Sequence, residues 1–188
     1  MQNTCTYLLV FAVLISLNAS AQSSVIGLKG GLNIATIAGD ADGVSSKLGI
    51  HIGFYNTMEI SESFKFQPEL IFSMQGAQVA QGEGKVNYNY INVPLIAKIF
   101  VQNGFNFQFG PQVGILLSAN VSDGMNSISV KDQLNSTDFS LGLGIGYELE
   151  SGVNFDLRYN LGLSNTSKED SNDTYPNSVI QFSIGKSF

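Results

Sequence analysis

The sequence predicts an all-β chain folded as an eight-stranded antiparallel up-and-down transmembrane β-barrel. Three observations predict it. Apolar and polar residues alternate with a period of two over nearly everything after Gln22. The connections between these runs are short and long by turns, as in a membrane barrel with a tight rim and a looped rim. Charged residues make up only 13% of the chain, whereas a surface facing water on all sides carries about a quarter.

In order, the first run sets Ile26, Leu28, Leu32 and Ile34 against Lys29, Gly31 and Asn33. The second, over 47–60, sets Leu48, Ile50, Ile52, Phe54, Met58 and Ile60 against Lys47, Gly49, His51, Gly53, Tyr55, Thr57 and Glu59. A third, from Phe64 to about Gln75, has Phe64, Phe66, Leu70, Phe72 and Met74 opposite Lys65, Gln67, Glu69, Ser73 and Gln75. The fourth, over 86–100, opposes Ile91, Val93, Leu95, Ala97 and Ile99 to Tyr90, Asn92 and Lys98, with Pro94 and Ile96 as irregular members of the polar side. Asn103-Gly104 is a two-residue signal for a type I′ hairpin, whose central positions both need positive φ. After it, Phe105, Phe107, Phe109, Val113, Ile115 and Leu117 oppose Asn106, Gln108, Gly110, Gln112 and Gly114. The sixth run opposes Phe139, Leu141, Leu143, Ile145, Tyr147 and Leu149 to Asp138, Ser140, Gly142, Gly144, Gly146 and Glu148. The seventh opposes Val153, Phe155, Leu157, Tyr159, Leu161 and Leu163 to Asn154, Asp156, Arg158, Asn160, Gly162 and Ser164, and the last opposes Ile180, Phe182, Ile184 and Phe188 to Gln181, Ser183, Gly185 and Ser187.

Connections near 61–63, 102–104 and 150–152 are tight, whereas 37–46, 77–85, 118–136 and 166–176 are long and polar. With an even number of strands both termini fall on the short-turn side, which is periplasmic in an outer-membrane barrel.

Alternation does not say which face is outside, because a soluble barrel has the same pattern inverted. The polar face decides: it is built of Gly, Asn, Gln and Ser with sparse charges of both signs, a composition for a narrow interior rather than a water-facing surface. Gly142, Gly144 and Gly146 then make room for larger lumen neighbours, and Lys29, Lys65, Lys98 and Arg158 pair inside with Glu59, Glu69, Asp138, Glu148 and Asp156, since burial penalises an unpaired charge. The lumen is expected to be packed, with no open channel. Tyr147 and Tyr159 are candidates for the aromatic girdle at the membrane boundary.

The length of 188 residues suits one domain. Residues 1–21 read as a cleavable signal peptide, with an apolar run over 8–17 and the small-residue site Ala19-Ser20-Ala21, leaving 22–188 as the barrel domain. The run is too short to span a bilayer as a helix, which takes about 20 residues. Cys5 precedes it and leaves with the leader, so disulfide and thiol chemistry are excluded from the mature chain. A net charge of −6 with scattered Lys and Arg argues against nucleic acid as a partner.

Several segments resemble the PorT-like outer-membrane β-barrel proteins common in Bacteroidetes: Gly27-Leu28-Lys29-Gly30-Gly31-Leu32-Asn33, Phe66-Gln67-Pro68-Glu69-Leu70 running to Gln75-Gly76, Tyr90-Ile91-Asn92-Val93-Pro94-Leu95, Gly110-Pro111, the Gly-alternating stretch to Gly146, Arg158-Tyr159-Asn160 and Ser183-Ile184-Gly185-Lys186-Ser187-Phe188. The resemblance spans the mature chain and implies a barrel in the outer membrane, without a common activity. The terminal Phe188 resembles the signal by which the outer-membrane assembly machinery recognises its clients.

No catalytic, cofactor-binding or metal-binding residue is assigned. His51, the only histidine, falls on the lumen face and reads as a hydrogen-bonded interior residue, although as a general base it would need a nearby nucleophile and an orienting carboxylate. Asp40-Ala41-Asp42-Gly43 resembles the start of a calcium loop, but the twelfth position is His51 rather than Glu. The alternating glycines from Gly142 lie within a strand and not at a strand-to-helix turn, so they do not form a phosphate loop. Asn-x-Ser/Thr triplets at Asn120, Asn135, Asn165 and Asn172 fall in or beside loops rich in these residues. The functional expectation is a structural or interaction barrel in contact with membrane lipid, with 118–136 its largest external surface. An accessory subunit of a secretion or envelope-assembly complex is the second reading, a lipid-active enzyme using His51 the third, and a soluble ligand carrier the last.

Overall fold

The computed structural model describes residues 24–37, 44–79, 84–123, 126–168 and 175–188. The leader 1–21 with Cys5, the Asp40–Gly43 segment and Asn172 lie outside the described residues. Eight strands form the wall: β1 (Ser24–Ile37), β2 (Val44–Ser61), β3 (Phe64–Val79), β4 (Lys85–Gln102), β5 (Phe105–Ser122), β7 (Thr137–Glu148), β8 (Val153–Gly162) and β9 (Asn177–Ser187). A three-residue strand β6 (Ser127–Ser129) pairs with the end of β5 inside the β5–β7 connection, ahead of a 3₁₀ turn over Lys131–Gln133. Each wall strand is antiparallel to its neighbours, and the β1–β9 pairing closes the barrel.

The period of two is what makes the wall two-faced. Along β1, Leu28, Leu32 and Ile34 are exposed while Lys29 and Asn33 are buried, and the same alternation runs through β5, β7, β8 and β9. Ile96 and Pro94 are fully buried on the lumen side, as their parity requires despite their apolar character. Asn103 (φ 47°) and Gly104 (φ 83°) take the left-handed conformation of the I′ hairpin.

Two expected lumen charges are placed differently. Glu59 is exposed at the rim, where a bulge between Glu59 and Ser61 ends the regular β2–β3 register, and Lys65 across from it turns instead to Glu148. Met58, expected to face lipid, is buried there between its cross-strand partners Ser24 and Phe66. Asp138 is buried, but near the other end of the lumen, where it accepts a hydrogen bond from the Ser164 hydroxyl rather than pairing with a cation.

Strand lengths are unequal. β2, β4 and β5 each have 18 residues while β7, β8 and β9 have 12, 10 and 11. A tilted crossing takes about 9–11, and the short turns fix one rim, so the surplus in β2–β5 stands above the membrane on the looped side.

Candidate functional site

The chemistry of this chain is concentrated in the lumen. Lys29 on β1, Glu69 on β3, Lys98 on β4, Glu148 on β7 and Asp156 and Arg158 on β8 meet as one layer of ion pairs. Arg158 forks onto Glu69 with Nη1–Oε2 at 3.0 Å and Nη2–Oε1 at 2.9 Å, the bidentate geometry that makes such pairs strong. Lys29 Nζ bridges Glu69 at 3.0 Å and Asp156 at 2.8 Å, and Lys98 Nζ reaches Glu148 at 2.9 Å and Asp156 at 3.8 Å. Neutral amides fill in around them: Gln67 donates to Glu69 at 2.7 Å, and Gln108 donates to Asp156 while accepting from Arg158 at 2.9 Å. Three buried cations therefore face three carboxylates, a balance that burial demands, and the part-exposed Lys65 joins from the rim through Glu148 at 3.1 Å. The alternating glycines serve this layer, because a Cβ at Gly146 would overlap Gln108 Nε2 and stand 2.7 Å from Asp156 Oδ1.

Above the layer, His51 Nδ1 lies 2.8 Å from Asn33 Oδ1 and His51 Nε2 lies 2.8 Å from Ser183 Oγ. The Asn33 amide nitrogen shares its two hydrogens among Ser73 Oγ at 3.0 Å, Met74 O at 2.9 Å and Ile50 O at 3.2 Å, which leaves its oxygen facing the ring. This assigns the proton to Nδ1, so Nε2 accepts from the Ser183 hydroxyl. Ser183, His51 and Asn33 thus stand in the order of a nucleophile, base and orienting group. All three are at most 4% exposed. Sequence reading identified His51 but not its partners, which lie on β1 and β9 and meet only when the barrel closes.

The looped mouth has a feature absent from the sequence reading, an apolar cluster inside the wall formed by Tyr88, Tyr90, Leu116 and Ala119. Val130 and Leu134 from the β5–β7 connection pack onto it. That connection is tied to the β8–β9 connection by a Leu134–Ser167 bridge, by Asn135 N to Thr166 O at 2.9 Å and by the Asn135 side-chain amide to the carbonyls of Asn165 and Ser167. The Asn135 side chain is engaged in holding the two loops together. Among the described residues no group of His, Cys, Asp and Glu is arranged to hold a metal ion.

A closed eight-stranded sheet with an apolar belt outside and a paired polar lumen defines a transmembrane β-barrel of the outer-membrane class. Residues 20–168 match the profile of the outer membrane protein beta-barrel domain, and the chain belongs to that family and to the bacterial outer membrane. Among solved structures, Neisserial surface protein A is similar with a TM-score of 0.62 at 11% identity, covering 89% of this chain and 100% of that one. Ail, the attachment invasion locus protein of Yersinia pestis, is similar with a TM-score of 0.55 at 14% identity, covering 88% and 99%. At these identities the likeness is one of fold. Comparison with curated protein sequences finds no match.

Proposed function

We propose that the protein is a non-conducting outer-membrane barrel that acts through its looped rim, as a structural or interaction protein rather than an enzyme. The observation that carries this reading is the ion-pair layer. Lys29, Glu69, Lys98, Asp156 and Arg158 are each no more than 4% exposed, so side chains and not water fill the lumen at that level. Above it the apolar cluster lies inside the wall, with Ile37 of β1 and Val130 and Leu134 of the β5–β7 connection packed against it. A partner from outside is left with the connections themselves, of which β5–β7 (123–136) and β8–β9 (163–176) are the longest, and their attachment to each other lowers the ordering entropy that binding would otherwise cost. A barrel of this fold, Ail, has been crystallised with the heparin analogue sucrose octasulfate, so a barrel of this size can bear a ligand.

On this reading residues 1–21 are the cleaved leader and membrane lipid surrounds the belt. The assembly machinery reads Phe188, which is 77% exposed at the end of the chain. Within the family, the order of the short motifs supports a PorT-like member, and the reading extends to another envelope or secretion protein as the partner of the rim. In planar bilayers the refolded protein is expected to give no conductance steps. Regular ion-conducting steps would overturn the closed-lumen reading. A photocrosslinker at Ile128, 68% exposed on β6, is expected to give a discrete protein adduct in intact cells. A crosslinker at Leu161 in the belt should give lipid only, and identical patterns from the two positions would count against a role for the rim.

The Ser183–His51–Asn33 relay favours a second reading, a lipid-active enzyme. Burial of Ser183 argues against it, and a fluorophosphonate is expected to leave the folded barrel unlabelled, with Ser183→Ala costing only about 1 kcal/mol of stability. Stoichiometric labelling lost in Ser183→Ala would establish the enzyme instead.

A further inference from the structure

The lipid-facing side of the wall carries one gap that barrel packing does not explain. Along the row of cross-strand partners Tyr147, Phe155, Ile184, Gly30, Ile52 and Phe72, five large side chains face outward and Gly30 interrupts them. Every other glycine within the wall strands would bring a Cβ to 3.0 Å or less from the chain's own atoms, so a side chain there forces a neighbour to shift. At Gly30 the nearest atom would be His51 O at 3.4 Å and the next Ile52 Cγ1 at 3.9 Å, ordinary contact distances. A depression of about 460 Å³ lies over this gap, open to the outside and lined by Leu28, Gly30, Ile52, Ile184 and Lys186 among others; another of about 420 Å³ between Leu143, Ile145, Leu157, Tyr159 and Ile180 has no lysine among its lining residues. Lys186 is exposed on the same face as Ile184, two residues or about 6.6 Å further toward the short-turn rim.

We propose that this depression is a binding site for an anionic phospholipid of the periplasmic leaflet, with an acyl chain lying over Gly30 between Ile52 and Ile184 and the phosphate held by the Lys186 ammonium. The two ends of the site match the two ends of such a lipid in polarity and order. The apolar part lies within the belt, and the cation lies at the rim where a headgroup phosphate sits. Lys186 now donates to the Ser151 carbonyl in the β7–β8 turn, an exposed contact that a phosphate oxygen can replace or share. Because lipid tails are as apolar as the wall, the acyl end gains from shape and van der Waals contact rather than from water release. Filling the gap should therefore weaken retention, and removing the charge should change headgroup preference.

The test is native mass spectrometry of the refolded barrel released from nanodiscs containing equal phosphatidylglycerol and phosphatidylcholine, with heat-dependent gel mobility confirming that each variant is folded. Wild-type protein is expected to retain one phospholipid, enriched in phosphatidylglycerol. Gly30→Leu, whose side chain has open space to enter, should lose retention of both lipids several-fold. Lys186→Gln should keep lipid but lose the preference for phosphatidylglycerol by about fivefold, the effect of one cation at a membrane surface. Equal retention in wild type and Gly30→Leu overturns the proposal. So does a wild-type dimer that Gly30→Leu converts to monomer, which would give the depression to a second copy of the chain.

Discussion

Glu69→Ala is expected to destabilise the refolded barrel by about 3–5 kcal/mol, the usual cost of removing one partner from a buried ion pair. Among the described residues Glu69 is the only carboxylate that Arg158 contacts directly and one of two that hold Lys29, so its loss strands a guanidinium and half-strands an ammonium at mid-lumen. The chain has no tryptophan, so far-UV circular dichroism and gel mobility of unheated samples in a urea series report the change. Adding Arg158→Ala should recover part of the loss, because Lys29 keeps Asp156 at 2.8 Å, and coupled neighbours of this kind deviate from additivity by about 0.5–3 kcal/mol. A single-variant cost below about 1 kcal/mol would mean that water enters the layer and solvates the freed cations, and the closed-lumen reading would fall with it.

Gly146→Val is expected to cost about 3 kcal/mol by a different route. The added Cβ overlaps Gln108 Nε2 and crowds Asp156 Oδ1 at 2.7 Å and Asn106 Oδ1 at 2.8 Å. Gln108 must then leave Asp156 and Arg158, adding unpaired buried groups, at about 1–3 kcal/mol, to overpacking that by itself costs about 1–3 kcal/mol. Ile145→Val, the adjacent position on the lipid side, should unfold at nearly the wild-type urea concentration. Equal effects at 145 and 146 would contradict the assignment of faces.

Those two variants mark the border between what is legible in a sequence and what is not. The face of each residue follows from parity, so Lys29, Glu69, Lys98, Asp156 and Arg158 can be placed in the lumen from the sequence alone. Their height along the barrel axis does not follow from parity. It depends on strand register, and register is reset by bulges in the β2–β3 and β4–β5 pairings that no turn residue announces. Glu59 and Asp138 have the right parity for the lumen and the wrong height for the layer, which is why one is at the rim and the other beside Ser164. The Ser183–His51–Asn33 relay spans 150 residues of sequence and exists because β1 pairs with β9.

By itself, then, the sequence determined the number of wall strands, their two faces, the alternation of short and long connections and the membrane location, all of which rest on local periodicity and composition. Only the tertiary structure decided which lumen charges meet, that an apolar cluster under the β5–β7 connection lines the mouth, and that Gly30 leaves a gap in the outer wall. Closure of the barrel brings strands far apart in the chain to one height, and the contacts made there depend on shear and register, which local pattern does not encode.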